Sequence, residues 1–391
     1  MNRFNPEQTF NFLPVPTDIN FGHGVLATLP EKIRSLGADR VFLVTDAGIR
    51  GAGILQRVLD LLSSAQIGCE VYDEVKQDSG SKLIAEAAER LRRSKAEVVV
   101  GIGGGSSLDT AKAVATLLTN PGSILDYTGL HKVKNRLSPV IAIPTTAGTG
   151  SEVSLWSVFT NDDTGLKVAV GSIHLYPMIA LCDPELTLEL PPLITAATGM
   201  DALAHGIECY TNNACQPISA ALAWNAIQLI GSHLRNAVLN GANRDSRYAM
   251  LLASTMAGIA MNPTRLGLAH ALAMPLGSWD LRIPHGIAIA VTLPRVMKFN
   301  WVSAPDRFAA VARALGQPVN QLPVANAAQC GVAAVEKLAN DIHIPKGLGE
   351  YGLRSSHIPR VIDEAMKSGN VVVSPRPTSK EQLTAVLEES L

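Results

Sequence analysis

Four side chains of this sequence have the chemistry to hold a divalent transition metal. Asp201 and His205 stand four residues apart in Thr198-Gly-Met-Asp201-Ala-Leu-Ala-His205-Gly-Ile-Glu208. That spacing puts a carboxylate and an imidazole one turn apart on a single helix face, and the stretch reads as the start of a helix. His270 follows in Gly267-Leu-Ala-His270, and His285 in Pro284-His285-Gly286. One carboxylate and three imidazoles suit a first-row divalent ion. Taken alone, the Asp/His pair is more often an ordinary surface contact, so the rest of the chain has to decide.

A second group of residues has the chemistry of phosphate binding. Gly101-Ile-Gly-Gly-Gly-Ser-Ser107 lies between a strand-like run at 96–100 and a helix expected from Ser107 to about Thr119. Main-chain N–H groups at such a strand-to-helix turn can hold a pyrophosphate, and Gly103, Gly104 and Gly105 let the ligand approach. Ser106 stands where a G-x-G-x-x-G fingerprint has its third glycine, and no Gly-Lys-Ser/Thr follows, so a plain tight turn is the other reading. Asp46 closes the strand run Arg40–Asp46. A carboxylate there can accept from a ribose and repel a 2′-phosphate, favouring NAD over NADP; it can equally cap a turn. Thr145-Thr-Ala-Gly-Thr-Gly150 follows a further strand at 139–143. These loops at strand C-terminal ends line one sheet edge, where open α/β sheets bind ligands.

The elements that must position these groups fall into two halves. Up to Cys182, strands and helices alternate. Helices are expected at 54–65 and 83–94, strands at 69–73 and 178–182, and a hairpin at 153–160 and 166–170 around Asn161–Gly165. Such alternation implies a parallel sheet covered by helices. Beyond Pro191 the pattern turns helical, with helices expected at 219–239, 247–260 and 305–315. The boundary is placed in 187–192, giving an α/β dinucleotide-binding domain at 1–188 and an all-helical metal-binding domain at 189–391. The 391 residues are 47% apolar and 17% charged with a net charge of -1. Large cores are therefore expected, and nucleic-acid or membrane partners are not. Residues 1–7 carry no leader pattern, no apolar run reaches a membrane span, and five scattered cysteines suit reduced thiols; a cytoplasmic protein is expected.

These motifs, in this order, resemble the iron-containing (group III) alcohol dehydrogenases. Gly103-Gly-Gly-Ser-Ser-Leu-Asp109-Thr-Ala-Lys112, Pro144-Thr-Thr-Ala-Gly-Thr-Gly-Ser-Glu152, Asp183-Pro-Glu-Leu, the Asp201/His205 stretch and both downstream histidine motifs carry the resemblance. It implies a Rossmann-like N-terminal domain, a helical C-terminal domain of the dehydroquinate synthase-like architecture, and a site in the cleft between them. It puts Asp201, His205, His270 and His285 on metal-ligand positions, the ion being Fe2+ or alternatively Zn2+. It puts Asp46, Gly103, Gly104, Gly105, Ser106, Asp109, Thr145, Thr146 and Thr149 on NAD(H)-binding positions. The activity implied is interconversion of a primary alcohol and an aldehyde by hydride transfer, with the substrate oxygen on the metal, in a homodimer or higher homo-oligomer. A maleylacetate-reductase-type reductase and a dehydroquinate-synthase-like lyase are the alternatives.

Three positions depart from the family pattern. Met274 stands where many members have a proton-relaying histidine, four residues after the third ligand. Arg265 stands where a small residue, often glycine, is usual; a fixed cation there suggests an anionic substrate, or pairs with a surface acid. Trp156 walls a pocket or packs the hairpin. Lys167, beyond the hairpin turn, reads as a solvated strand lysine or a residue facing the cleft.

Overall fold

The computed structural model describes residues 9–391; residues 1–7, searched above for a leader, lie outside them. The chain divides into two compact units, one of Val15–Glu189 and one of Leu190–Leu391, the latter joined by the described residues up to Pro14.

In the first unit, short runs of branched aliphatic residues give nine strands. They are β1 (Asp18–Phe21), β2 (Arg40–Asp46), β3 (Gly68–Val75), β4 (Val98–Gly103), β5 (Gly129–Leu130), β6 (Val140–Pro144), β7 (Trp156–Asn161), β8 (Leu166–Gly171) and β9 (Ile179–Cys182). Six form one sheet in the order β1-β9-β6-β4-β2-β3, every neighbouring pair parallel. Alternate residues feed two cores. Val41 and Leu43 of β2 join Val58 and Leu62 of the helix Ile54–Ser64 on one face. Phe42 and Val44 join Ile84 and Leu91 of Ser81–Ser94 and Val114 of Gly105–Thr119 on the other. A strand buried on both faces reads as an unbroken apolar run, which is why the central strands were legible. The edge strand β1, Asp-Ile-Asn-Phe, pairs only with β9 and is half exposed, so its sequence gives no such run.

The boundaries at the glycine-rich loop differ from expectation. β4 continues to Gly103, with Gly101 opposite Ala142, and its helix begins at Gly105, ahead of Ser107. The reason is packing: a Cβ on Gly101 would lie 2.7 Å from that of Ala111, so the glycine lets helix and strand approach inside the sheet. β7 and β8 form the expected antiparallel hairpin, with β7 starting at Trp156 rather than 153 because Ser151–Val153 turns as a 3-10 helix, and the Gly165 N–H donates to Asn161 O at 2.8 Å.

The second unit is built of helices, chief among them Pro192–Thr211, Pro217–Leu239, Arg244–Thr264, Leu268–Leu276, His285–Asn300, Pro305–Ala314 and Val324–Asp341. Asp201 does not open its helix, as its sequence suggested. The helix starts at Pro192, where proline at the first position needs no N–H partner. Asp201 therefore lies mid-helix, in a stretch buried continuously from Gly199 to Thr211. No helix among the described residues is long and apolar enough to cross a membrane.

Candidate metal centre

Three helices bring the four candidate ligands together. Asp201 and His205 share the buried face of Pro192–Thr211, His270 stands in the first turn of Leu268–Leu276, and His285 is the first residue of His285–Asn300. A Cβ on Gly286 would lie 2.7 Å from Ala197 O, so the glycine lets the His285 helix abut the Asp201 helix one turn above the carboxylate. Asp201 Oδ1 is 3.3 Å from His270 Nε2 and 3.8 Å from the Nε2 atoms of both His205 and His285. Ligand atoms around a tetrahedral ion with bonds of about 2.0–2.1 Å lie roughly 3.3 Å apart, so the separations from Asp201 Oδ1 are near those an ion requires. His205 meets Asp201 at 3.8 Å but stands outside the mutually close group of Asp201, His270 and His285. Asp201 Oδ1 and His270 Nε2 are buried without a hydrogen-bond partner, an arrangement a bound cation satisfies. Asp201, His270 and His285 together have the geometry of a metal-binding group. Burial works to raise the Asp201 carboxyl, but the imidazoles of His205, His270 and His285 prevail and hold it well below the usual carboxylate range.

Glu208, on the same helix as Asp201, was not singled out as functional from sequence. Its Oε2 accepts from His270 Nδ1 at 2.6 Å and from Gly267 N at 2.8 Å; its Oε1 accepts from Ala269 N at 2.8 Å. Gly267 is required here, because a Cβ would lie 2.7 Å from Glu208 Oε1. Burial pulls the His270 imidazole down, but Glu208 and Asp201 outweigh it and raise it to about 9. The only sequence signal was Glu208's place two turns beyond Asp201, on the same helix face.

In the first unit the glycine-rich segment crosses the point where the sheet order reverses, with β3 on one side of β2 and β4 on the other. Such a switch point opens a crevice at the strand C-terminal ends. Gly103 has φ +145°, and a Cβ there would lie 2.6 Å from Ser107 Oγ, so only glycine serves. Ser107 Oγ donates to Asp46 Oδ2 at 2.8 Å, while Asp46 Oδ1 accepts from Gly48 N and Ile49 N. Asp46 thus caps the helix Ala47–Gly51. The loop after β6 lies against the glycines. Thr145 N donates to Gly103 O at 3.0 Å, Thr146 Cγ2 is 3.4 Å from where a Cβ of Gly104 would be, and Thr149 Cγ2 is 2.6 Å from that of Gly105.

Asp109 braces these loops. Its Oδ1 accepts from Ser151 Oγ at 2.5 Å and pairs with Lys112 Nζ at 3.1 Å, and its Oδ2 accepts from Val158 N at 3.0 Å. Lys112, unremarked from sequence, is wholly buried; its Nζ also donates to Ser151 O, Ser154 Oγ and Trp156 O. Burial lowers the Lys112 pKa, opposed by Asp109. Ser106 Oγ accepts from Asp78 N at 3.2 Å. Asp78 in turn pairs with Lys167 Nζ at 2.7 Å, so Lys167 is a buried ion-pair partner rather than a solvated strand lysine. Apolar strand alternation is blind to such a partner, which comes from a distant loop.

Of the three departures, Trp156 lays its ring against Gly171 of the hairpin, whose missing side chain makes the room. Met274 is half-buried one turn beyond His270. Arg265 has no acid within ion-pairing distance among the described residues, so it does not form the surface pair weighed above. Its guanidinium instead lies where a Cβ of Gly369 would be.

The parallel six-stranded sheet, the helical unit and the buried Asp/His cluster fit the dehydroquinate synthase-like/iron-containing alcohol dehydrogenase architecture. The description "Iron-containing alcohol dehydrogenase" matches residues 16–184, and "Fe-containing alcohol dehydrogenase family, C-terminal" matches residues 195–391. The chain belongs to the iron-containing alcohol dehydrogenase family of oxidoreductases. It is similar to a choline dehydrogenase of Bacillus subtilis (strain 168), with 36% identity over 377 residues, 96% of this chain and 93% of the relative. Among solved structures, 1,3-propanediol oxidoreductase superposes with a TM-score of 0.95 at 35% identity, covering 98% of this chain and all of that one. Sulfoacetaldehyde reductase from Bifidobacterium kashiwanohense, solved in complex with NAD+, superposes with a TM-score of 0.87 at 30% identity, covering 98% and 99%.

Proposed function

We propose that this protein is an NAD-dependent, metal-dependent oxidoreductase that interconverts a primary alcohol and its aldehyde. The observation that carries the reading is the buried Asp201 Oδ1 with three imidazole Nε2 atoms around it, in a chain of this family. One carboxylate and three imidazoles suit Fe2+ and Zn2+ alike. The chemistry these groups supply when bound is Lewis-acid activation of an alcohol or carbonyl oxygen and hydride exchange with nicotinamide.

The chain's own residues do the rest. Asp201, His205, His270 and His285 hold the ion, and the depressed Asp201 carboxyl stays ionised for it. Main-chain N–H groups at Gly104, Gly105 and Ser106 hold the pyrophosphate at the start of Gly105–Thr119. Asp46 takes the adenosine ribose, and Thr145, Thr146 and Thr149 form the nicotinamide side. Met274 has no group to accept a proton, so the relay of the histidine-bearing members is lost at that position. Arg265, with its unpaired guanidinium, supports a substrate with an acidic group, and the name of the sulfoacetaldehyde relative points the same way. The reading includes a homo-oligomer working in the cytoplasm, to be tested by light scattering and cell fractionation.

The test is an alcohol and aldehyde panel with NAD(H), on protein reconstituted with Fe2+ or Zn2+, neutral and acidic substrates side by side. Steady NADH formation with an alcohol is expected; a lyase that regenerates its cofactor gives none. Asp201→Ala should lose most metal and most activity. Full turnover by that variant, with metal absent by elemental analysis, overturns the proposal.

A further inference from the structure

We propose that Glu208 is the positioning residue of the metal site: it fixes the ring orientation and tautomer of His270 and sets the helix that carries it. The inference rests on the metal reading above. The Glu208 carboxyl oxygens accept from the main-chain N–H groups of Gly267 and Ala269, so the group faces its surroundings as an acceptor. At 2.6 Å from Glu208 Oε2, His270 Nδ1 therefore carries the hydrogen, leaving the Nε2 lone pair for the ion.

The same carboxylate takes Gly267 N and Ala269 N, donors from either end of the first step into Leu268–Leu276. Those main-chain groups have no partner inside their helix. One side chain thus sets the position of the helix, the rotation of the ring and the site of its proton. Its own place is fixed in turn, because Glu208 and two of the ligands, Asp201 and His205, stand on one helix face. The carboxylate is buried, as are the Asp201, His205 and His270 side chains. A shift of Glu208 therefore moves His270 relative to Asp201 Oδ1 directly.

The amide of Glu208→Gln keeps the shape but has one accepting oxygen and two N–H donors for a site that presents three donors. One of Gly267 N, Ala269 N or His270 Nδ1 then faces a donor. The experiment measures partition of Zn2+ between the reconstituted protein and a chromophoric chelator, together with the visible absorption of Co2+-loaded protein. Glu208→Gln should bind Zn2+ about 10- to 100-fold more weakly, with an altered Co2+ spectrum. Asn243→Ala, which removes the cap of Arg244–Thr264 elsewhere in the unit, should lower the melting temperature and leave both readouts unchanged.

If Glu208→Gln lowers the melting temperature but keeps Zn2+ affinity and the Co2+ spectrum, Glu208 is only a cap and the proposal fails. If Asp201→Ala also keeps its affinity, the metal reading itself is what fails. Should Glu208→Gln not fold, 15N NMR of the Zn2+-loaded native protein decides. A protonated Nδ1 on His270 supports the proposal, and an unprotonated one overturns it.

Discussion

Arg265 sits in a backbone conformation that belongs to glycine. Its φ of 60° and ψ of -167° lie in a region that non-glycine residues enter at a cost of about 1–3 kcal/mol. The surroundings hold it there. Its carbonyl accepts from Thr264 Oγ1 at 2.8 Å, Asn212 Nδ2 at 3.3 Å and Cys209 Sγ at 3.6 Å, and its N–H donates to Met261 O at 3.0 Å. Arg265→Gly keeps all four of these bonds and removes the strain. Against that stands the larger entropy lost by glycine on ordering, about 0.5–1 kcal/mol. The net expectation is a gain of about 1 kcal/mol, or roughly 2–4 °C in melting temperature for a unit of this size. The guanidinium has no ion-pair partner to lose, so no buried acid is orphaned. If it contacts an acidic substrate, its loss removes a charged hydrogen bond of about 1.5–3 kcal/mol, roughly ten- to a hundredfold in kcat/KM for acidic substrates alone. Scanning calorimetry of the metal-loaded protein and the two-class substrate panel give the two readouts. A lower melting temperature refutes the strain argument. An equal change for acidic and neutral substrates refutes the anion reading.

Lys112→Met should cost about 3–5 kcal/mol in denaturant unfolding, because Asp109 keeps its charge without its buried partner; a loss under about 1 kcal/mol contradicts the bracing role. Gly105→Ala should weaken NADH binding at least about tenfold by fluorescence titration while metal content holds, since the new methyl meets Thr149 Cγ2. Unaltered NADH affinity would mean that the two loops yield freely. Cys69 gives a pH test. Burial raises its thiol to about 11, against 9.0 in the unfolded chain, so the folded chain binds more protons between those values. Stability should fall as pH rises through that window, and Cys69→Ala should flatten the fall in thermal melts taken at several alkaline pH values.

What the sequence made legible follows from what periodicity reports. The strand run at 40–46 and the ligand pair Asp201/His205 are local patterns, and the structure keeps them; the run expected at 96–100 is kept as a strand with its bounds moved to Val98–Gly103. His270 and His285 were grouped with that pair by donor type alone, and the family resemblance put them on ligand positions, since no spacing rule links residues on different helices. Glu208, Lys112 and Lys167 were missed or misread for one shared reason. Each is a charged side chain buried by a specific partner far along the chain: Gly267 and His270 for Glu208, Ser151 and Trp156 for Lys112, Asp78 for Lys167. Hydrophobic pattern assigns such residues to solvent, because burying a charge is unfavourable unless a partner compensates. The partner is a tertiary fact.

Glycines supply part of what periodicity omits, because each marks a place where something else needs the room. Gly103 yields to Ser107 and Asp46, Gly105 to Thr149, Gly267 to Glu208, and Gly286 to the Ala197 carbonyl. Gly103 and Gly105 lie at the strand-end loops of the first unit, Gly267 and Gly286 beside the ligand-bearing helices of the second, and all four belong to the motifs that carried the family resemblance. At Arg265 the relation is inverted. A side chain occupies a conformation suited to glycine, and a glycine stands at position 369, where the guanidinium fills the space of a Cβ. Arg265 and Gly369 therefore form one unit, and a side chain at 369 should displace the guanidinium. Gly369→Ala thus repeats the specificity arm of Arg265→Gly without touching the strained backbone, separating the two effects that Arg265→Gly combines. If Gly369→Ala lowers activity on acidic substrates selectively and leaves the melting temperature without a rise, the guanidinium and the strain are independent. If neutral and acidic substrates respond alike, the seat of the guanidinium has no part in specificity.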